Sequence, residues 1–169
     1  MARKACKSWL IVPILAVALC TAGVSMVEEE APPKTFNSEV AFDVYAVTGG
    51  VWEFVGQTPS KEPLTISPCD YWLVEPRSPV DMKRVRKEVA AQGIPVLLLG
   101  HATDADLEHL KGLSELQHLN LTGTKVTDAG LEHLKGLTAL RGLDLGLTQV
   151  TDAGVAQLKE SLPNVRVVR

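Results

Sequence analysis

The stretch that decides the fold is a tandem repeat in the second half of the chain. Residues 103–126 read TDADLEHLKGLSELQHLNLTGTKV, and residues 127–150 read TDAGLEHLKGLTALRGLDLGLTQV, so that 15 of 24 positions are identical without a gap. A third unit begins at Thr151 and runs to Arg169. A fixed period of this length is typical of repeat architectures, in which each unit buries its apolar side chains against the next unit.

Each unit combines a strand pattern with a helix pattern. Leu119 and Leu121 alternate, as the buried face of a short strand requires, and the next unit repeats this spacing. Leu131, Leu134 and Leu137 follow at the three-residue spacing of a helix. We therefore predict an α/β fold, a short solenoid with parallel strands side by side and helices outside.

Every unit begins with a threonine followed by an aspartate. Thr103, Thr127 and Thr151 are suited to cap a helix, because a threonine hydroxyl accepts a hydrogen bond from a free amide of the first turn. Asp128 and Asp152 place a carboxylate at the positive end of that helix. Since capping explains these aspartates, we do not interpret them as catalytic acids.

These units resemble those of bacterial leucine-rich-repeat proteins with the pattern TDAGLxHLxxLxxLxxLxL, and they are similar to the cysteine-containing subfamily. The resemblance covers residues 103–169. It implies a protein-binding role, because members of the family bind many unrelated partners that are mostly proteins. It supplies no catalytic residues.

A degenerate first unit precedes the two clear ones. A shift by one full repeat aligns Leu97 with Leu121, which predicts a charged capping helix over 82–92 and a strand over 94–99. We assign residues 80–169 to the leucine-rich-repeat domain. Side chains that flank the strand leucines face the concave side of such an array. The predicted partner-binding residues are His118, Asn120, Thr122, Asp144, Val96 and Leu98.

An alternative applies to the two apolar members of this set. Val96 and Leu98 equally fit packing against the preceding domain, because an apolar patch marks either an internal or an external interface. The sequence leaves both interpretations open.

Residues 36–79 have the composition of a small all-β domain. Alternating apolar residues stand on both sides of Gly49 and Gly50, which predicts a hairpin. The turn at 56–59, with the strand and the Asp70–Tyr71 return after it, resembles PEGA-type β-domains of bacterial surface proteins. Trp52 and Trp72 are candidate carbohydrate contacts, and the alternative is that they form the core of the sheet.

The segment 1–26 has the layout of a signal peptide or membrane anchor, with a basic start, an apolar run and then small residues. We predict an exported protein, at the cell surface, in the periplasm or secreted. Cys20 is a candidate for lipidation, although Leu19 stands where bacterial lipoprotein signals carry a small residue. Residues 27–35 are charged and proline-rich, as in a linker.

Charge and composition restrict the function classes. The formal net charge is −3, which disfavours nucleic acid as a partner. His109 and His133 repeat on the helices, but no further histidine or cysteine lies at metal-ligand spacing, so we predict no metal and no cofactor. The sequence predicts a non-catalytic module that binds a protein partner. The alternative is a carbohydrate-binding protein that uses the aromatic residues, with the repeats as scaffold. Oligomeric state stays open.

Overall fold

The structure is a computed structural model that describes residues 33–77 and 81–169. A small antiparallel sheet contains β1 (Lys34–Phe36) and β4 (Leu64–Ile66). The main sheet has seven strands in the order β3-β2-β5-β6-β7-β8-β9. They are β2 (Phe42–Thr48), β3 (Val51–Gln57), β5 (Tyr71–Pro76), β6 (Val96–Leu98), β7 (His118–Asn120), β8 (Gly142–Asp144) and β9 (Arg166–Val168).

In the described residues, four α-helices and one 3-10 turn connect these strands. The helices are α1 (Met82–Gln92), α2 (Asp104–Glu108), α3 (Asp128–Leu131) and α4 (Asp152–Ser161), and the 3-10 turn is Glu132–Leu134. None of the helices in the described ranges combines the length and the apolar character that a membrane crossing requires. The signal or anchor assigned to segment 1–26 lies outside the described residues.

The predicted fold class is wrong. The chain forms one mixed sheet, in which β3, β2 and β5 are antiparallel and β6 to β9 run parallel to β5, rather than a solenoid with outer helices and a separate all-β domain. Two repeat units contribute only short helices, α2 with five residues and α3 with four. The physical reason lies at the first repeat strand: a free edge of β6 would expose unpaired amides and carbonyls, and β5 pairs with them.

The register of the repeat strands follows the sequence repeat only from β7 onward. Leu119 lies opposite Leu143, and Leu143 lies opposite Val167, in both cases one full repeat further along the chain. Leu97, however, lies opposite Leu119 and not Leu121, so the first unit is shorter than we expected. The helix before it ends at Gln92 and is capped by Gly93, in the left-handed conformation at φ 59°, and only Ile94 and Pro95 separate this cap from β6.

The hairpin at Gly49 and Gly50 is confirmed. These two residues join β2 to β3 and have φ values of 60° and 81°. A two-residue turn of this kind needs positive φ at both positions, which glycine adopts without steric cost. The hairpin is therefore a local consequence of the Gly-Gly dipeptide.

The main apolar core lies on one side of the main sheet and extends through the repeats. At the N-terminal end Phe36 packs on Trp72, with ring centroids 5.3 Å apart. In the repeats, the leucines of strands and helices are almost completely buried, among them Leu107, Leu119, Leu131, Leu134 and Leu143. The repeat leucines and the β-hairpin region thus share one core.

The aspartates of the repeat link successive units. The Asp104 carboxylate accepts hydrogen bonds from the amide and the hydroxyl of Thr127, at 2.8 and 2.7 Å. Asp128 accepts the same two bonds from Thr151, at 2.7 and 2.6 Å. In the last unit Asp152 accepts from the Arg169 guanidinium instead. The carboxylates of Asp104 and Asp128 therefore fix the start of the next unit in addition to their position in a first helical turn.

Gly130 and Gly154, three residues after the threonines that begin the second and third units, leave room for the aspartate carboxylate of the preceding unit. A Cβ atom on Gly154 would lie less than 3.0 Å from the Asp128 side chain, and one on Gly130 would meet Asp104 in the same way. Gly136, by contrast, has no atom within 4 Å of such a Cβ. The threonine and the glycine of each Thr-Asp-x-Gly sequence thus both contact the aspartate of the preceding unit.

We expect Gly154→Ala to destabilise the fold by about 1–3 kcal/mol, because the added methyl group would displace the Asp128 carboxylate. Gly136→Ala is the matched control, and it should leave the free energy of unfolding unchanged or raise it slightly. Urea unfolding of the two variants measures the difference. Equal stability of both variants would contradict the assigned contact.

The contact between Asp128 and Thr151 also predicts that the free energy of unfolding decreases in acid. The two hydrogen bonds from Thr151 lower the pKa of Asp128 below its usual value of 3.8. Because the folded state holds the charged form, the stabilisation is complete above pH 3.8 and disappears as the pH falls through the lowered value. The difference in unfolding free energy between the wild type and Asp128→Ala should therefore shrink below pH 3.8.

Candidate binding face

One side of the main sheet is opposite the core, and we call it the open face. The strand registers place alternate residues of all seven strands on this side. Its central members are Trp52 and Phe54 of β3, Tyr45 and Val47 of β2, Tyr71 and Leu73 of β5, Val96 and Leu98 of β6, His118 and Asn120 of β7, and Gly142 and Asp144 of β8.

The hairpin end of the open face is aromatic and exposed. Tyr45 lies between two rings, with centroid distances of 6.0 Å to Trp52 and 5.5 Å to Phe54. Trp52 is 51% exposed and Phe54 is 54% exposed, although both are large apolar side chains. Rigid strands hold these rings in fixed positions, so they present an apolar surface with little conformational freedom left to lose on binding.

A small apolar cluster supports the middle of the face. Val47, Leu73 and Val96 are buried together, and Tyr45 and Leu98 pack against them. Two of the residues predicted to bind a partner, Val96 and Leu98, therefore lie on the open face as parts of this packed cluster. Val96 is covered by its neighbours on β2 and β5, and Leu98 is half-buried beside it, which is the alternative of packing against the preceding segment.

His118 connects the aromatic end to the polar end. Its ring stacks on Tyr71 with centroids 6.3 Å apart and planes 16° from parallel. The imidazole also lies over Gly142, where a Cβ atom would come within 3.0 Å of the ring. Burial lowers the pKa of His118, with Arg141 acting in the same direction and Asp144 opposing both. The imidazole therefore favours its neutral form.

The polar end contains the other predicted residues. Asn120 lies opposite Asp144 across the β7–β8 ladder, and its side-chain oxygen accepts a hydrogen bond from the Thr122 amide at 2.9 Å. Thr122 is exposed, and Asp144 is half-buried. The structure thus brings His118, Asn120 and Asp144 together on neighbouring strands, with Thr122 just beyond β7.

The two tryptophans lie on opposite sides of the sheet. Trp52 belongs to the open face, whereas Trp72 is 4% exposed in the core, and the Lys34 ammonium lies 4.6 Å from its ring centroid. The interpretation of Trp72 as a carbohydrate contact is therefore wrong, because a buried ring cannot stack on a sugar. Cys20, the candidate for lipidation, lies outside the described residues.

A separate cleft of about 240 Å³ lies at the carboxyl end of β6, and its lining includes Glu75, His101 and Asp106. Burial raises the pKa of Glu75, the nearby Asp43 raises it further, and His101 opposes them. The sequence indicated no relation between Glu75 and His101, since they are far apart in the chain. In the described part of the chain, no group of three or more histidine, cysteine or acidic side chains is placed to hold a metal ion.

Comparison with known proteins gives neither a family nor a function for this chain. No protein-family model matches the chain, and no curated protein matches it significantly. The open face is therefore interpreted from its own geometry.

The environment of His118 predicts its titration. We expect the imidazole to titrate with a midpoint below its usual value of 6.5, because protonation would place a charge in a partly desolvated position beside Arg141. Asp144→Asn should lower the midpoint further, since it removes the carboxylate that favours the protonated ring. An NMR titration of the histidine ring protons measures both values. A midpoint at or above 6.5 in the wild type would contradict this description.

Proposed function

We propose that this chain is an exported, non-catalytic binding module that holds a protein partner against the open face. The observation that carries the proposal is the continuity of this face. The exposed rings of Trp52 and Phe54 lie on the same surface as His118, Asn120 and Asp144. Residues from both halves of the sequence therefore contribute to one surface.

The composition of the face supports a protein partner. Tryptophan, tyrosine and other aromatic residues are enriched at the centres of protein interfaces, where they contribute most of the binding energy. Here they are concentrated at one end, and polar groups follow towards β8. The repeat also resembles a family whose members mostly bind proteins, which is consistent with this proposal.

The width of the open face and the charge at its polar end restrict the kind of partner that can bind there. Trp52 on β3 and Asp144 on β8 are separated by five strand spacings, which is about 24 Å. A partner that contacts both ends needs an apolar side chain for the aromatic end. At the other end it needs a basic or hydrogen-bond-donating group, about 24 Å away, for the Asp144 carboxylate. A folded protein surface meets both requirements.

A second candidate function uses the aromatic end alone. Trp52 is about half exposed, and an exposed indole can stack on a sugar ring. In this alternative the chain binds a carbohydrate of the cell envelope, and the repeat strands serve as scaffold. A short saccharide stacked on Trp52 would not reach Asp144.

This difference in reach gives the test. We expect Trp52→Ala and Asp144→Ala each to weaken capture of a protein partner by about tenfold or more, because both ends would be covered in the complex. Glu160→Ala, on α4 and outside the open face, is the control and should bind as the wild type. Affinity capture from the envelope fraction of the source cells, followed by titration with the identified partner, provides the measurement.

The outcome for Asp144 decides between the two functions. If Trp52→Ala abolishes binding of an envelope polysaccharide while Asp144→Ala binds it normally, the carbohydrate alternative is correct. If neither substitution changes any captured ligand, the open face is not the binding site.

Export is part of the proposal and has its own test. Mass spectrometry of the mature N-terminus, on protein purified from the source cells, should show cleavage within segment 1–26, a lipid on Cys20 or an intact anchor in the membrane fraction. An intact N-terminus on protein from the cytoplasmic fraction would contradict export.

A further inference from the structure

We infer that the outer side of α1 is a second interaction surface, which holds the chain against an anionic phospholipid bilayer. We call this surface the basic face, and it consists of four exposed side chains, Lys83, Arg84, Arg86 and Lys87. The inference goes beyond the proposed function. Its charge argument does not depend on what the open face binds, and the choice of a bilayer as the anion uses the proposed signal or anchor in segment 1–26.

The basic face concentrates positive charge on a chain whose formal net charge is −3. Helix α1 has four basic residues and one acidic residue, Glu88, which is half-buried. The side of the helix that packs in the core consists of Met82, Val85 and Val89. Helical periodicity therefore turns Lys83 and Lys87 directly outward, between the two arginines. All four charges lie within about one and a half turns of the helix.

The cations of the basic face have no ion-pair partner in the described part of the chain. Glu88 follows Arg84 at the four-residue spacing at which helical ion pairs form, yet the two side chains do not pair. Asp81 accepts hydrogen bonds from the backbone amides of Lys83 and Arg84, at 3.0 and 3.3 Å. The four positive charges are therefore available to an anion from outside the chain.

The placement of these charges opposes the stability of the helix. Lys83 and Arg84 are in the first turn of α1, where the positive end of the helix dipole disfavours cations. Lys83 and Lys87 also repel each other, because residues four apart are neighbours on a helix. The repeat helices show the opposite arrangement, with acidic first-turn residues Asp104, Asp106, Asp128 and Asp152. A charge pattern that helix stability disfavours indicates an anionic partner.

The path of the chain favours a bilayer as this partner. The Lys34 ammonium donates a hydrogen bond to the Gln92 carbonyl, at 3.4 Å, so β1 begins beside the end of α1. Residues 27–33 can span at most about 25 Å, which places the proposed signal or anchor in segment 1–26 within reach of the basic face. Helix α1 contains no aromatic residue on which the bases of a nucleic acid could stack. A lipid surface requires only accessible cations, each of which strengthens binding by about fivefold.

Binding through the basic face leaves the open face accessible. Helix α1 packs on the core side of the main sheet, through Val85 and Val89, and the open face is on the other side. A bilayer and a protein partner would therefore contact opposite sides of the chain at the same time.

The main experiment measures partition of the full chain onto vesicles. The vesicles contain about 30% phosphatidylglycerol in phosphatidylcholine, or phosphatidylcholine alone. The wild type should bind the anionic vesicles more strongly, and the difference should shrink as the salt concentration rises from about 0.05 to 0.5 M. The double variant Lys83→Gln/Lys87→Gln should bind the anionic vesicles about tenfold more weakly or worse. Lys125→Gln/Lys159→Gln is the matched control, which changes the net charge equally at two exposed lysines outside α1 and should bind like the wild type.

A second measurement remains decisive if segment 1–26 holds every variant on both kinds of vesicle. Acetylation of lysine ammonium groups, followed by mass spectrometry, reports how accessible each side chain is. In the wild type, Lys83 and Lys87 should react several-fold more slowly on anionic vesicles than on neutral ones. Lys125 and Lys159 should react at the same rate on both.

Urea unfolding separates a loss of binding from a loss of the fold. The Lys83→Gln/Lys87→Gln variant should unfold at the same urea concentration as the wild type or at a higher one, because it removes two cations that repel each other and relieves the first turn of α1.

Four results would overturn the inference. They are equal acetylation of Lys83 on the two kinds of vesicle, an equal loss of anionic-vesicle binding in the two double variants, and a lower urea midpoint for Lys83→Gln/Lys87→Gln. The fourth is binding of a DNA duplex through Lys83 and Lys87 that is tighter than binding of the anionic vesicles, which would assign the basic face to nucleic acid.

Discussion

The parallel pairing of β5 with β6 is the contact on which the rest of the structure depends. Val74 lies opposite Leu97, and both side chains are completely buried. β5 is buried on both sides. Trp72 and Val74 face the core, and Leu73 belongs to the small buried cluster on the open face. A strand covered on both sides is typical of the centre of a sheet. This pairing makes the hairpin strands and the repeat strands one sheet and gives the open face its continuity.

Within the repeats, one polar contact recurs beside the apolar core. An aspartate of one unit accepts two hydrogen bonds from the threonine that begins the next, and a glycine leaves space for the carboxylate. The leucines supply most of the free energy through burial, but burial alone does not fix how one unit is positioned on the next. The directional Asp–Thr bonds fix this position, which keeps the strands in register and the polar end of the open face ordered.

The open face and the edge of β3 share their most exposed residues. Trp52 and Phe54 provide the aromatic end of the face, and their backbone groups form the free edge.

Several features followed from the sequence because they depend on neighbouring residues. The Gly49–Gly50 dipeptide predicted the hairpin, and Thr127 and Thr151 accept the predicted capping hydrogen bonds from first-turn amides, whereas the Thr103 hydroxyl donates to Asp106 instead. The spacing of Leu119 and Leu143 predicted that they lie opposite each other on adjacent strands. Turn conformation, capping and periodic burial are local properties, so a short stretch of sequence contains enough information to specify them.

Other features depend on which distant strands pair, and only the tertiary structure decided them. Trp52 and Trp72 are both in strands with apolar neighbours, yet one is exposed and the other is in the core. The stacking of Tyr71 on His118 joins residues from the two halves of the chain. By itself the sequence determined the repeat, its caps and the hairpin. The single mixed sheet and its open face were decided by the β5–β6 pairing. No repeat relates these two strands, so their pairing depends on which free strand edges folding brings together, and the spacing of residues along the chain does not reveal it.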